Sequence, residues 1–418
     1  MSPRRPDGLW RNADFLKVWA GQSLSSLGGA VSDVALPLVA IVVVGASAFE
    51  FSVVRALTFL PFLLFALPAG VWLDRVRRRP VVVGADAALG LALLSIPLAH
   101  WLGLLTVWQL FVVAFAVGTL EVSFGIAYRS YLPTLVPRER LLDANAKLDT
   151  TASAASVAGP GLGGILVGAL GAPAAVVVDA VSFAVSAVLG LAVRAAEPEP
   201  LPQAGRRLRE ELAEGLAFVA RHPQLRPIAV TTAALNFARS LVLAVFLVYA
   251  VRELGVSAGE LGLVLACGNV GALVGAAVST RLALRIGAGR AILATAATIA
   301  PATLFVAAAP TEGALPFLVV AQVLTGFGAL GYSITSTTLR QSVTPDALLG
   351  RMNSVMIFLG FSGVPLGSLA GGALASAFGL HAAIWIGAAL APLAVAPLLA
   401  TPIRSVRGFG EAQPLPAR

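Results

Sequence analysis

Twelve times between residues 15 and 400 the chain runs for roughly twenty residues with almost no charge. These runs are 15–44, 52–73, 81–99, 106–128, 147–170, 172–194, 228–251, 259–281, 290–309, 315–338, 353–378 and 381–400. A water-soluble fold cannot hide that much continuous apolar sequence. Charged residues make up 12% of the chain, against about 25% in soluble domains, and mean hydropathy is +0.88. Inside a bilayer no water satisfies the backbone, so a spanning segment is a helix or part of a closed barrel. Barrel strands are about ten residues long and alternate in polarity. These runs are longer and do not alternate. The chain is therefore expected to be an all-α polytopic membrane protein with twelve transmembrane helices.

The basic residues set the orientation. With the first run entering from the cytoplasm, all but three of the 29 Lys and Arg fall on the cytoplasmic side. Arg252 lies in an outer loop, and Arg55 and Arg239 lie inside runs. Basic loops stay on the inner face, so both termini are expected in the cytoplasm and the protein in the cell (plasma or inner) membrane. The net charge of +8 thus reflects topology, and nucleic acid is not an expected partner. The single cysteine, Cys267, sits in an apolar run. His100, His222 and His381 are too scattered to bind a metal together. No metal and no cofactor is expected.

The chain repeats itself. Residues 137–175 align without a gap on 345–383. Pro137/Pro345, Asn145/Asn353, Gly159/Gly367, Gly163/Gly371 and Gly171/Gly379 are among the identities. Two six-helix halves in parallel repeat are expected, 1–194 and 228–403, with a cytoplasmic tail at 404–418. Between them, 195–227 carries "RRLREELAEGLAFVARHP". That stretch reads as an amphipathic helix on the inner membrane surface, or equally as a plain linker.

The joint between the second and third runs, "GVWLDRVRRRP", resembles the loop motif of the major facilitator superfamily. Gly70, Asp74, Arg75, Arg78 and Arg79 match it, and Arg77 stands where the family has a glycine. The fifth run carries "GPGLGG", similar to the antiporter motif of exporters in that superfamily, through Gly159, Pro160, Gly163 and Gly164. Ala155 replaces an upstream glycine, and the fourth run has no basic residue before Arg129. "LPTLVPRERLLDANAKL", "VVVDAVSFAVSAVL" and "EGLAFVARHPQLR" resemble the twelve-helix drug/proton antiporter branch, which includes macrolide and enterobactin exporters. The resemblance implies a secondary active transporter working by alternating access, with a small-molecule substrate, protons as coupling ion, and a monomeric state. It implies a cytoplasmic gate at the loop motif, where Asp74 would face a helix N-terminus and arginines would bridge to Asp86 or Asp143; gating is the expected role of Asp74 and Arg75, and topology with phosphate-headgroup anchoring that of Arg77, Arg78 and Arg79. It implies export of amphipathic molecules; a nutrient or metabolite importer or uniporter on the same fold is the alternative.

Ionisable groups inside a membrane are costly, about 2.5–3.5 kcal/mol each on insertion scales, and mark function by default. In this superfamily the first, fourth, seventh and tenth helices line the cavity. That makes Asp33, Glu121, Asn236 and Arg239 the cavity candidates: Asp33 and Glu121 for proton and cation recognition, Arg239 to tune them. Paired Glu121 and Arg239 that neither titrate nor bind would be the structural alternative. Asp179 is expected to pack with Ser182 and Arg55 to reach the outer headgroups; Gln22, Gln109, Asn269 and Gln322 could bind polar substrate groups, but interhelical hydrogen bonding is the commoner use. "GPGLGG" also fits a dinucleotide-binding spacing, but that chemistry needs a preceding strand. No P-loop, nucleophile elbow or metal cluster is present, so no enzyme activity is expected.

Overall fold

The computed structural model describes residues 9–73, 76–195, 197 and 208–408. Asp74 and Arg75 of the expected gate lie outside them, as does the tail beyond 408. Among the described residues the secondary structure is helical throughout. The helices are α1 (Ala13–Leu38), α2 (Ala48–Leu73), α3 (Arg78–Trp101), α4 (Val107–Leu135), α5 (Leu141–Leu170), α6 (Ala172–Leu191), α7 (Leu208–Arg221), α8 (Leu225–Arg252), α9 (Ala258–Ile286), α10 (Ala288–Ala297), α11 (Ile299–Ala307), α12 (Ala314–Val343), α13 (Asp346–Phe378) and α14 (Leu380–Leu399). Twelve helical segments are long and apolar enough to cross a membrane. Large apolar side chains such as Leu91, Val112, Val188 and Leu393 stand exposed on them, as acyl chains require and water would not tolerate.

Three details depart from simple rods. The first span ends in a π turn, Val39–Val43, just past Pro37. Proline has no N–H, so position 37 offers no donor to the Asp33 carbonyl four residues back. The ninth span, expected as one helix over 290–309, is α10 and α11 broken at Thr298. Pro301 removes the partner of the Ala297 carbonyl, and the break falls there. The central amphipathic stretch forms α7, which packs on α13. Gly215 approaches the Arg351 carbonyl, Glu214 pairs with Arg351, and Val219 enters a core with Ile228, Met352 and Leu398.

Contacts divide the chain into two units: 1–45 with 64–204, and 46–63 with 205–418. In the first, α1 packs on α5 and α6, and α3 on α4 and α6. In the second, α9 packs on α12, and α8 on α13 and α14. The start of α2 belongs to the second unit. Ser52 lies where a Cβ on Gly372 would sit, Phe62 stacks on Phe361 at 5.0 Å, and Arg252 donates to the Ala46 carbonyl at 2.8 Å.

The repeat extends beyond the aligned segment. Gly45, Gly103 and Gly171 have left-handed φ in the first unit, and Gly255, Gly313 and Gly379 do at the equivalent joints of the second. Ser47 and Glu50 bond reciprocally at the start of α2, and Ser257 and Glu260 do so at the start of α9. Such a box satisfies two of the orphan N–H groups of a helix.

His222 opens α8. It is 3% exposed, and its Nδ1 accepts from the Gln224 and Leu225 amides at 3.2 and 3.4 Å. Burial holds its pKa below the ordinary 6.5. The neutral ring's contribution is therefore complete above 6.5 and is lost as pH falls through the depressed value. Lowering pH from 7.5 to 5 is expected to destabilise the wild type by about 1 kcal/mol more than His222→Asn, which caps without titrating. Thermal unfolding of the detergent-solubilised proteins at the two pH values checks this; equal losses would remove His222 as the cause.

Candidate functional site

Two groups of polar side chains stand on the transmembrane helices, one in each unit. The first begins with Asp33, exposed on α1 in the turn that Pro37 loosens, and Glu121, exposed on α4. Asp179 of α6 is buried at 2% exposure. Its Oδ1 accepts from Ser182 Oγ at 3.3 Å, and α1 reaches it closely because residue 28 is glycine, whose absent Cβ leaves room for both side chains. Glu121 lies within electrostatic reach of Asp33 and Asp179, and Asp179 within reach of Asp33. Among the described residues no three His, Cys, Asp or Glu are close enough together to hold a metal ion. The carboxylates thus share a field without sharing a ligand sphere.

The second group surrounds a cavity of about 420 Å³ within the second unit, between α8, α9, α11 and α12. Arg239, Asn269, Gln322, Thr303 and Thr325 supply its polar atoms, and Phe246 is part of its apolar wall. Asn236, one turn before Arg239, turns elsewhere: its Nδ2 donates to the Gly360 carbonyl at 2.9 Å, tying α8 to α13. Arg239 makes no hydrogen bond or ion pair among the described residues, and no carboxylate lies within electrostatic reach of it. Asn269 and Gln322, read in sequence as interhelical bonds or contacts to polar substrate groups, both line this cavity. Gln109 behaves as expected, donating to the Ser95 carbonyl at 3.0 Å.

The two motifs have local roles. Gly159 and Gly163 of α5 meet Ala30 and Val31 of α1, where any Cβ would crowd them. Pro160 and Gly164 are buried on the same helix. Arg78 and Arg79 tie α3 to the end of α6 and the chain just beyond it. Glu197 accepts from both their amides, at 2.5 and 3.1 Å, placing a carboxylate at the positive end of α3. Arg79 donates to the last α6 carbonyls, Gly190 at 3.2 Å and Leu191 at 2.7 Å. Gly70 lies in the last turn of α2. The acids expected to receive the loop arginines have other partners: Asp86 accepts from Ser186 at 2.6 Å, and Asp143 pairs with Lys147 at 3.0 Å. Charge alone suggested arginine bridges; helix packing brought a hydroxyl and an i,i+4 lysine nearer.

The chain resembles known membrane proteins over most of its length. A family model described as transmembrane secretion effector matches residues 8–412. The multidrug efflux pump Tap of Mycobacterium tuberculosis is 30% identical over 388 residues, 89% of each chain. Macrolide efflux protein A of Streptococcus pyogenes is 25% identical over 219 residues, 50% of this chain and 52% of that one. Among solved structures, a bacterial homologue of the iron transporter ferroportin superposes with a TM-score of 0.74 at 19% identity, covering 94% of this chain and 99% of that one. The nucleoside transporter NupG superposes at 0.77 and 11% identity, over 93% and 99%. Twelve apolar helices in two repeated units, with a family match over nearly the whole length, identify this chain as a multi-pass membrane transporter of the transmembrane secretion effector family, within the major facilitator superfamily.

Proposed function

We propose that the protein is a proton-coupled exporter of small amphipathic molecules, drugs or secondary metabolites, in the cell membrane with both termini cytoplasmic. The observation that carries this reading is the set of Asp33, Glu121 and Asp179 on three transmembrane helices of one unit, in mutual electrostatic range. Such a set binds either a proton or a cationic substrate, and that competition is what an antiporter needs. The efflux relatives support the direction, and the cytoplasmic basic loops support the orientation. The protein acts as a monomer, and protons rather than a bound cofactor drive it.

The test is efflux of a panel of amphipathic cationic dyes from energised cells, with and without a proton uncoupler. Cells expressing the protein should accumulate less dye, and the uncoupler should erase the difference. Efflux that survives the uncoupler would show that protons do not drive it. A panel in which no dye moves would favour import on the same fold.

A further inference from the structure

The cavity in the second unit carries a charge of the opposite sign, that of Arg239. It is about 420 Å³, within the range of small-molecule sites, roughly 300–1,000 Å³. Its walls are mostly apolar, and its strongest polar group is a guanidinium. Arg keeps its charge in any protein environment, and placing one in a membrane segment is costly. Structures normally offset that cost with a carboxylate or with carbonyls. Here Arg239 has neither an ion pair nor a hydrogen bond among the described residues. Gln322, which also lines the cavity, makes no hydrogen bond there either. Thr303 and Thr325 are turned inward on their own helices, donating to the Ala300 and Ala321 carbonyls at 2.8 Å each. Their hydroxyl protons are spoken for. The strongest donors left facing the cavity are the Arg239 guanidinium and the Gln322 amide N–H2, beside an apolar wall.

We infer that this cavity is a binding site for an amphipathic molecule through its acidic group, a carboxylate, sulfonate or phosphate received by Arg239 and Gln322. A planar guanidinium receives two oxygens at once, and the Gln322 amide supplies further donors. The apolar part of the ligand would lie against the Phe246 wall. The same head chemistry is carried by lipid phosphates and by free small molecules. The site rests on the export reading only in that its ligand is amphipathic; direction and proton coupling do not enter.

Three dansyl probes that differ in the head alone test it: dansylglycine, its amide, and dansyl-ethylenediamine, which are an anion, a neutral molecule and a cation. Binding is read by dansyl fluorescence on purified protein in phosphatidylcholine nanodiscs, less the signal of empty discs. Dansylglycine should bind about ten- to a hundredfold tighter than the amide, as a charge-assisted bond to Arg predicts, and the amine weakest. Arg239→Gln should abolish the preference and Arg239→Lys should keep most of it. Gln322→Leu should weaken dansylglycine more than the amide. Equal binding of the three probes, tightest binding of the amine, or an unchanged preference in Arg239→Gln would each overturn the assignment. The wild-type order alone decides the sign if a variant does not fold. Phosphatidylglycerol that displaces dansylglycine in an Arg239-dependent way identifies a lipid headgroup as the anion source; no displacement identifies a free amphiphile. Either source upholds the anion site. The measurement uses no gradient, so a failure of dye efflux in cells leaves it standing, and a failure here leaves proton-coupled export standing.

Discussion

Gly367→Leu is expected to remove most of the folded protein. Gly363, Gly367 and Gly371 repeat every four residues along one face of α13, and a Cβ at each would land on the Ala233, Phe237 and Leu241 carbonyl oxygens of α8. All three approaches are closer than the 3.0 Å below which real Cβ contacts are not found. Lipid tails are as apolar as the helices, so no hydrophobic force draws α8 and α13 together. Close backbone packing does, and only small residues permit it. Leucine at 367 would force the helices apart along the ladder, breaking the Asn236–Gly360 bond with it. Overpacking usually costs about 1–3 kcal/mol, and a clash against backbone at the centre of a three-step ladder belongs at the upper end or beyond. Gly350, on the same helix, has nothing within 4 Å of its Cβ position, so Gly350→Ala should be neutral or slightly stabilising. Yield by size-exclusion chromatography and the unfolding midpoint in detergent compare the two. Wild-type behaviour of Gly367→Leu would show that the ladder does not hold α8 to α13.

Asp33→Asn and Glu121→Gln are expected to reduce uphill efflux about five- to 150-fold while leaving downhill substrate exchange measurable. The range is that of a coupling free energy between two ligands, here proton and substrate. The amides keep the shape, replace one acceptor oxygen with an N–H2 donor and cannot exchange a proton; both side chains are exposed, so the fold should tolerate them. Asp179→Asn is the contrast. That carboxylate is buried and hydrogen-bonded to Ser182, so its loss should lower yield before it lowers coupling. Efflux from energised cells read beside counterflow in vesicles separates the steps. Full uphill transport by both Asp33→Asn and Glu121→Gln would remove the carboxylates from the proton path. Loss of exchange together with uphill transport would make them substrate ligands alone.

Much of this architecture was legible in the chain. Every span was visible because hydropathy is summed residue by residue against one solvent. The Gly159/Gly367 and Gly163/Gly371 identities pointed to equivalent contacts, and both pairs do press on the helix they meet, α1 in one unit and α8 in the other. The site was less legible. Asn236 and Arg239 share a helix face by spacing, yet one bonds to α13 and the other lines the cavity. Asn269 and Gln322 were visible as polar residues in apolar runs, but nothing in their spacing told interhelical bonds from cavity lining. Glu197 gave no signal, because it lies in a proline-rich joint far in sequence from the α3 amides it caps.

The sequence by itself determined that the chain crosses a membrane twelve times, that it is built from two copies of one plan, and at which positions a missing Cβ could admit a neighbouring helix. Those properties are local: each depends on a residue's own transfer energy or its own missing Cβ. Only the tertiary structure decided that Asp33, Glu121 and Asp179 fall in one field and that Arg239 faces an unneutralised cavity. Those depend on the rotation and partner of each helix. In an apolar solvent these are set by the shape of every surrounding side chain at once, so no single stretch of sequence carries them.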